Sequence, residues 1–234
     1  MMRKTGVISS QTLLKYEKRM TTSVFRANRA LAREIDAALV SQPGVVPRVE
    51  LVDWKRDLQA LIFKYSETVA REGVQHILQA TGRKSEALEL VMMGIRYRLR
   101  NHSARRAQLI EEYLRQRITR NLESGMSVAD ARTAIRRILN TRGYAERIAR
   151  TETHTALERG SFEAARSLGV RMTKEWVSRE DGGVRPDHAA AHGQVQEIET
   201  PFTVGGVSML YPGDPSAPAR QTVNCRCTVT YSFT

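Results

Sequence analysis

The sequence predicts an α+β protein: a long-helix N-terminal region over residues 1–143, then a small mixed α/β C-terminal domain over 144–234 with short antiparallel strands. Three observations carry this. Apolar residues recur at helical spacing through the first two thirds of the chain. After Gly169 that period gives way to short runs of β-formers separated by Gly, Pro and Asp turns. Near the end, Cys225, Cys227, Val229, Tyr231 and Phe233 alternate with Arg226, Thr228, Thr230 and Ser232, the period of a strand.

The first helix is expected from Gln11 to Val40, striped by Val24, Ala27, Leu31, Ile35 and Ala38, and Pro43, Gly44 and Pro47 end it. A second runs from about Glu50 to Ala80 with Leu51, Trp54, Leu58, Leu61, Ile62, Tyr65, Val69 and Leu78 inward, closed by Thr81-Gly82. A third starts near Ser85 with Leu88, Val91, Ile95 and Leu99. It is expected to pause around Asn101-His102-Ser103 and to resume through Leu109, Tyr113, Leu114, Ile118 and Leu122. Ser124-Gly125-Met126 is a turn. Ser127 can cap the next helix, and Asp130 suits its positive end. That helix buries Val128, Ala131, Ile135, Ile138 and Leu139. Arg132, Arg136 and Arg137 lie off the stripe, placed to meet nucleic acid or an acidic surface. Gly143 breaks the pattern, and a last helix covers Tyr144 to about Leu168.

Beyond Gly169, Met172 to Ser178 reads as a strand with Met172 and Trp176 on one face. Asp181-Gly182-Gly183 turns, and Pro186 to Gly193 holds one helical turn or a shaped loop. Thr203 to Met209 is a hairpin centred on Gly205-Gly206, and Pro212 to Pro215 is loop.

The chain has 234 residues and a net charge of +12. Residues 83–150 hold 16 basic and 7 acidic side chains, so the surplus lies in the helices. Such a field favours a polyanion or an acidic protein surface; solvated helix faces are the simpler alternative. No run approaches the roughly 20 apolar residues of a membrane span, so no membrane partner is expected. Met1 to Gln11 lacks the apolar stretch of a signal peptide, which suggests a protein made and kept in a reducing cytoplasm. Two cysteines one residue apart close too small a ring for a good disulfide. There is no P-loop, no persuasive Ser-His-Asp order and no nucleotide fingerprint, so no enzyme is expected.

From about Tyr144 onward a set of short pieces occurs in a fixed order. They are Ile148-Ala149-Arg150-Thr151-Glu152, Gly169, Trp176, Asp181, Arg185-Pro186-Asp187-His188, Gly193-Gln194, Phe202, Pro212-Gly213-Asp214 and Asn224-Cys225-Arg226-Cys227. In these the chain resembles the C-terminal domain of the phage Mu F-like minor head proteins, also called head morphogenesis proteins. The resemblance implies a structural virion component in few copies, associated with the portal protein and acting in procapsid assembly, DNA packaging or DNA delivery. Coat or scaffold protein and packaged DNA are further implied contacts. The implied location is the capsid interior near the portal, after assembly in the host cytoplasm. One departure is His192, where the family often has an acidic residue before the glycine. Competing classes are a nuclease-like or toxin-like enzyme delivered with the genome, and a plain nonspecific DNA-binding protein.

Cys225, Cys227, His188 and His192 have the donor chemistry of a structural zinc site. The alternative is two small buried thiols with a hydrogen-bonded His188. Arg150, Glu152 and Arg185 read as buried anchors, with Glu152 expected to orient His188 or to pair with Arg185. His76, His102 and His154 read as helix-face residues. Asp181, Asp187 and Asp214 with His188 could form a carboxylate site, or could cap turns.

Overall fold

The computed structural model describes residues 3–6, 10–41, 48–83, 86–179 and 181–233. Five long or medium helices come first: α1 (Ser10–Ser41), α2 (Arg48–Ala80), α3 (Glu86–Glu123), α4 (Val128–Leu139) and α5 (Arg142–Ser167). A two-residue strand, β1 (Arg3–Lys4), precedes them. The C-terminal part holds β2 (Met172–Val177), α6 (Pro186–Ala190), β3 (Val195–Glu197), β4 (Phe202–Val204), β5 (Val207–Met209), α7 (Ala219–Thr222) and β6 (Thr228–Phe233). The fold is α+β, as expected. The Pro43, Gly44 and Pro47 stop and the Ser85 start lie outside the described residues.

The chain divides into two compact units that interleave along the sequence: residues 1–16, 65–99 and 150–234, and residues 17–64 and 100–149. Helices α1, α2, α3 and α5 contribute residues to both. The expected boundary at 143/144 falls inside the first turn of α5.

The helices form because their apolar residues keep the 3.6 period. In α1 the core residues are Met20, Val24, Leu31, Ile35 and Leu39; in α2 they include Leu51, Trp54, Leu58, Ile62, Val69 and Val74. Buried Asn28 accepts the Trp54 indole N–H at 3.3 Å. α3 differs from expectation. It runs unbroken through Asn101–Ser103, because buried Ser103 turns its hydroxyl onto the Arg100 carbonyl (2.9 Å) and leaves the helical ladder intact. The period therefore carries through Leu99, Ser103, Ala107, Ile110, Leu114 and Ile118, while Leu109 and Tyr113, expected inside, are half exposed. α4 starts as read: Ser127 Oγ accepts the Asp130 amide at 3.1 Å. Asp36 of α1 accepts from both Arg132 and Arg136 of α4.

In the other unit, β6 lies between β1 and β2, and β3 forms the far edge, all antiparallel. β2 turns Met172, Lys174 and Trp176 inward. Lys174 was not expected there. Its ammonium donates to the Leu210 carbonyl (2.8 Å) between the rings of Phe162 and Phe202, 5.0 and 4.9 Å away, and burial brings its pKa down to about 8. β4 and β5 form a separate hairpin turned by Gly205 and Gly206, both at positive φ. β6 starts at Thr228, so Cys225-Arg226-Cys227 is an irregular segment between the turn at Val223-Asn224 and the strand, and not its first residues. Asn224, at φ 58, makes that turn.

Candidate metal centre

The site rests on α5, which is buried nearly all round from Thr151 to Glu158 despite its polar sequence. Its polar side chains hold the C-terminal loops. Thr151 Oγ1 accepts the Asn224 amide at 3.1 Å, Thr155 Oγ1 donates to the Gly213 carbonyl at 3.2 Å, and Glu158 accepts the Thr228 hydroxyl at 2.7 Å. The cysteine segment is thus pinned to a core helix on both sides of the thiols.

Opposite this segment stands α6. Pro186 sets its first turn and His188 points inward, 1% exposed, with Trp176 edge-on to its ring at 5.6 Å. His188 Nδ1 lies 3.4 Å from Cys227 Sγ and 3.6 Å from Cys225 Sγ. All three ligand atoms lie within 4.8 Å of one another, and all three residues are buried. His188 Nε2 meets Gln221 Oε1 of α7 at 2.9 Å, and the Gln221 amide donates to Asp187 Oδ2 at 2.9 Å. The tip of the β4–β5 hairpin closes over this chain: a Cβ on Gly205 would collide with Asp187 Oδ2 and Gln221 Nε2.

His192 does not join the group. α6 ends at Ala190, and Gly193 at φ 77 reverses the chain, so the expected i, i+4 register is never formed. His192 is exposed and accepts the Ser178 amide on Nδ1 at 3.1 Å. Among the described residues no other His, Cys, Asp or Glu joins the three. A cavity of about 10 Å³ beside them has room for about one water.

Of the anchors, Arg185 donates to the Val223 carbonyl, Glu152 is buried in α5, and Arg150 is half-buried. Gln221 and the thiols meet the two ring nitrogens of His188. Gln221 was missed, since a glutamine in a run of Pro, Ala and Arg carries no signal. His154, expected on a helix face, is buried beside the Cys227 backbone, and burial brings its pKa down to about 4. His76 Nε2 meets the Gly6 carbonyl at 2.8 Å, and His102 is half-buried. The three loop carboxylates cap and tie. Asp181 accepts from Arg226 (2.7 Å) and Gly183 N, Asp187 from Gln221, and Asp214 from the amides of Leu210 and Ser216. Arg132 and Arg136 share Asp36, and Arg137 is exposed.

Burial pushes the Glu158 carboxyl up to about 8, so Glu158 and His154 are both neutral near pH 7. The hydrogen bond from the Cys225 S–H draws the Cys227 thiol below its ordinary value against the opposing effect of burial, while Cys225 is pushed up. A divalent cation here would hold both sulfurs as thiolates.

An α+β protein with a buried His-Cys-Cys group at the segment before its last strand is the class that these observations define. A sequence profile of the Phage Mu protein F like protein family matches residues 112–230, starting ahead of the expected Tyr144. The chain belongs to that family. The chain is also 29% identical over 133 residues to the NAD(+)--arginine ADP-ribosyltransferase EFV of Enterococcus faecalis, covering 53% of this chain. It spans 27% of that protein's length. No solved structure matches the chain.

Proposed function

We propose that this chain is a portal-associated minor head protein of a tailed phage, acting in procapsid assembly, DNA packaging or DNA delivery. The observation that carries it is the family match over residues 112–230. The charge of +12 supports contact with packaged DNA or with an acidic portal or coat surface. Its place is then the virion, inside the head near the portal, after passage through the host cytoplasm. Among the described residues no helix is long and apolar enough to cross a membrane, which agrees with that place.

The chain acts as a structural part and not as an enzyme. Supporting this, Asp181, Asp187 and Asp214 are each engaged in turns and ties and do not converge on one ion. The transferase activity named for the Enterococcus protein is not carried over, because the match spans 27% of it.

Within this function His188, Cys225 and Cys227 hold a structural zinc ion. Zinc with bonds of about 2.3 Å to sulfur and about 2.0 Å to nitrogen sets tetrahedral S and N ligand atoms about 3.5 Å apart. The two separations here are 3.4 and 3.6 Å. The ion would tie α6 to the segment before β6.

Co-expression with the portal protein of the same phage, followed by purification of heads and metal analysis, tests both parts. The chain is expected to travel with the portal and to carry one zinc. A chain absent from heads overturns the structural reading. DNA cleavage with a divalent metal that His188→Ala abolishes would favour the nuclease, and nicotinamide release from NAD(+) a transferase.

A further inference from the structure

The outward face of α3 is apolar between Leu90 and Tyr97. Leu90 is 70% exposed, Met93 66% and Tyr97 73%, and their spacing puts them on one stripe. Beside the stripe lies a groove of about 410 Å³ that Leu78, Val91 and Leu168 help to line. Isolated exposed apolar residues are ordinary; a stripe bordering a groove marks a contact surface.

Gly94 lies in the middle of this face and also lines the groove. Glycine weakens a helix relative to alanine. A Cβ at Gly94 would meet nothing within 4 Å, so no contact within the described residues requires a glycine there. The other two glycines deep inside helices do have such a requirement. A Cβ on Gly73 would stand 2.5 Å from the Leu157 carbonyl, and one on Gly160 would collide with the backbone of Ala70. Those two are where α2 and α5 cross at close range. Helix separation follows the size of the residues at the crossing. Gly94 has the same character and lacks the crossing helix.

We propose that this face of α3 docks an amphipathic helix of another protein, crossing at Gly94, with acidic residues flanking its apolar stripe. Charge selects the occupant. The groove is rimmed by Arg83, Arg98 and Arg166; Glu163 accepts from both Arg98 and Arg166, which leaves the rim a surplus of two positive charges, and Arg83 is exposed. A second copy of a chain with net charge +12 would bring like arginines together. That the occupant comes from a head protein rests on the function proposed above; the surface does not.

The test uses the purified full chain and two labelled peptides of about 24 residues, long enough for several helical turns. Both carry Leu and Ala on one face; one is flanked by Glu, the other by Lys. The Glu peptide is expected to bind saturably at physiological salt, and the Lys peptide not to bind. Gly94→Leu should weaken binding by at least about tenfold with an unchanged or raised Tm, and Arg83→Glu should weaken it too. No binding of the Glu peptide, equal binding of both peptides, or full binding by Gly94→Leu overturns the proposal. A purified dimer that Gly94→Leu converts to monomer does so as well, since the face is then its own partner. Absence of the chain from phage heads is a separate result and leaves the peptide titration decisive.

Discussion

Gln221 decides which nitrogen of His188 faces the thiols. Only its NH₂ can donate to Asp187 Oδ2, so its oxygen must face the imidazole. The imidazole then carries its proton on Nε2 and turns the Nδ1 lone pair to Cys225 and Cys227, the tautomer a metal ligand needs. Gln221→Ala is therefore expected to lower zinc affinity by about 10–100-fold in a chelator competition. Cys227→Ser should take bound zinc from one per chain to nearly none and lower the Tm. Unchanged affinity in Gln221→Ala would show that the amide does not fix the ring. The His188, Cys225 and Cys227 group was legible because His and Cys are scarce and fall in one short stretch. Gln221 was not, since its meaning lies in a partner 33 positions away. His192 misled because the i, i+4 rule assumes a helix that here ends at Ala190.

At the scale of elements, the crossing of α2 and α5 and the open face of α3 make opposite demands on the same residue type. Gly160→Ala adds a methyl where the Ala70 backbone already stands, so it should destabilise by about 1–3 kcal/mol despite the better helix propensity. Gly94→Ala adds one into open space and should stabilise by up to about 1 kcal/mol. Urea unfolding of the two variants reads both signs. The α1–α4 contact adds a pH dependence. The hydrogen bond from Arg132, helped by Arg136, draws the Asp36 pKa down to about 2 from 3.8. A depressed carboxylate contributes stability above its unfolded pKa and loses it as pH falls through the folded one. The gap in stability between wild type and Asp36→Asn should thus hold from pH 7 to about pH 5 and close between about pH 4 and pH 2. The gap is about 1 kcal/mol, since the pair meets solvent. A gap that stays constant to pH 2 would assign the contact to packing alone. The long helices were legible because their period persists over many turns. The pause at Asn101–Ser103 was misread because polar residues look like breakers until a hydroxyl satisfies its own helix. β1 could not be found, because two basic residues hold no pattern; its reason is the free edge of β6.

For the molecule as a whole, the surplus of charge outlasts the pairing. Arg96 binds Glu67 and Glu89, Arg98 binds Glu163, Arg115 binds Glu111, and Arg132 and Arg136 share one carboxylate. Each pair cancels charge locally, yet residues 83–150 still hold 16 basic against 7 acidic side chains, and Arg137 remains exposed. A field of this kind holds phosphates without reading bases, and releases counterions as it does so. If the chain contacts packaged DNA, its affinity for a mixed-sequence duplex should fall by about 100-fold between 50 and 200 mM salt, the response to a few neutralised phosphates. It should change little with sequence. Arg137→Ala should weaken binding uniformly and lower the salt slope by about one if that residue meets a phosphate. Zinc removal gives the contrast. The proposed metal ligands lie in residues 188–227, outside the basic stretch, so chelation that leaves the helices folded should leave the slope unchanged. Binding that ignores ionic strength would take DNA out of the function and leave an acidic protein surface as the partner of the basic helices.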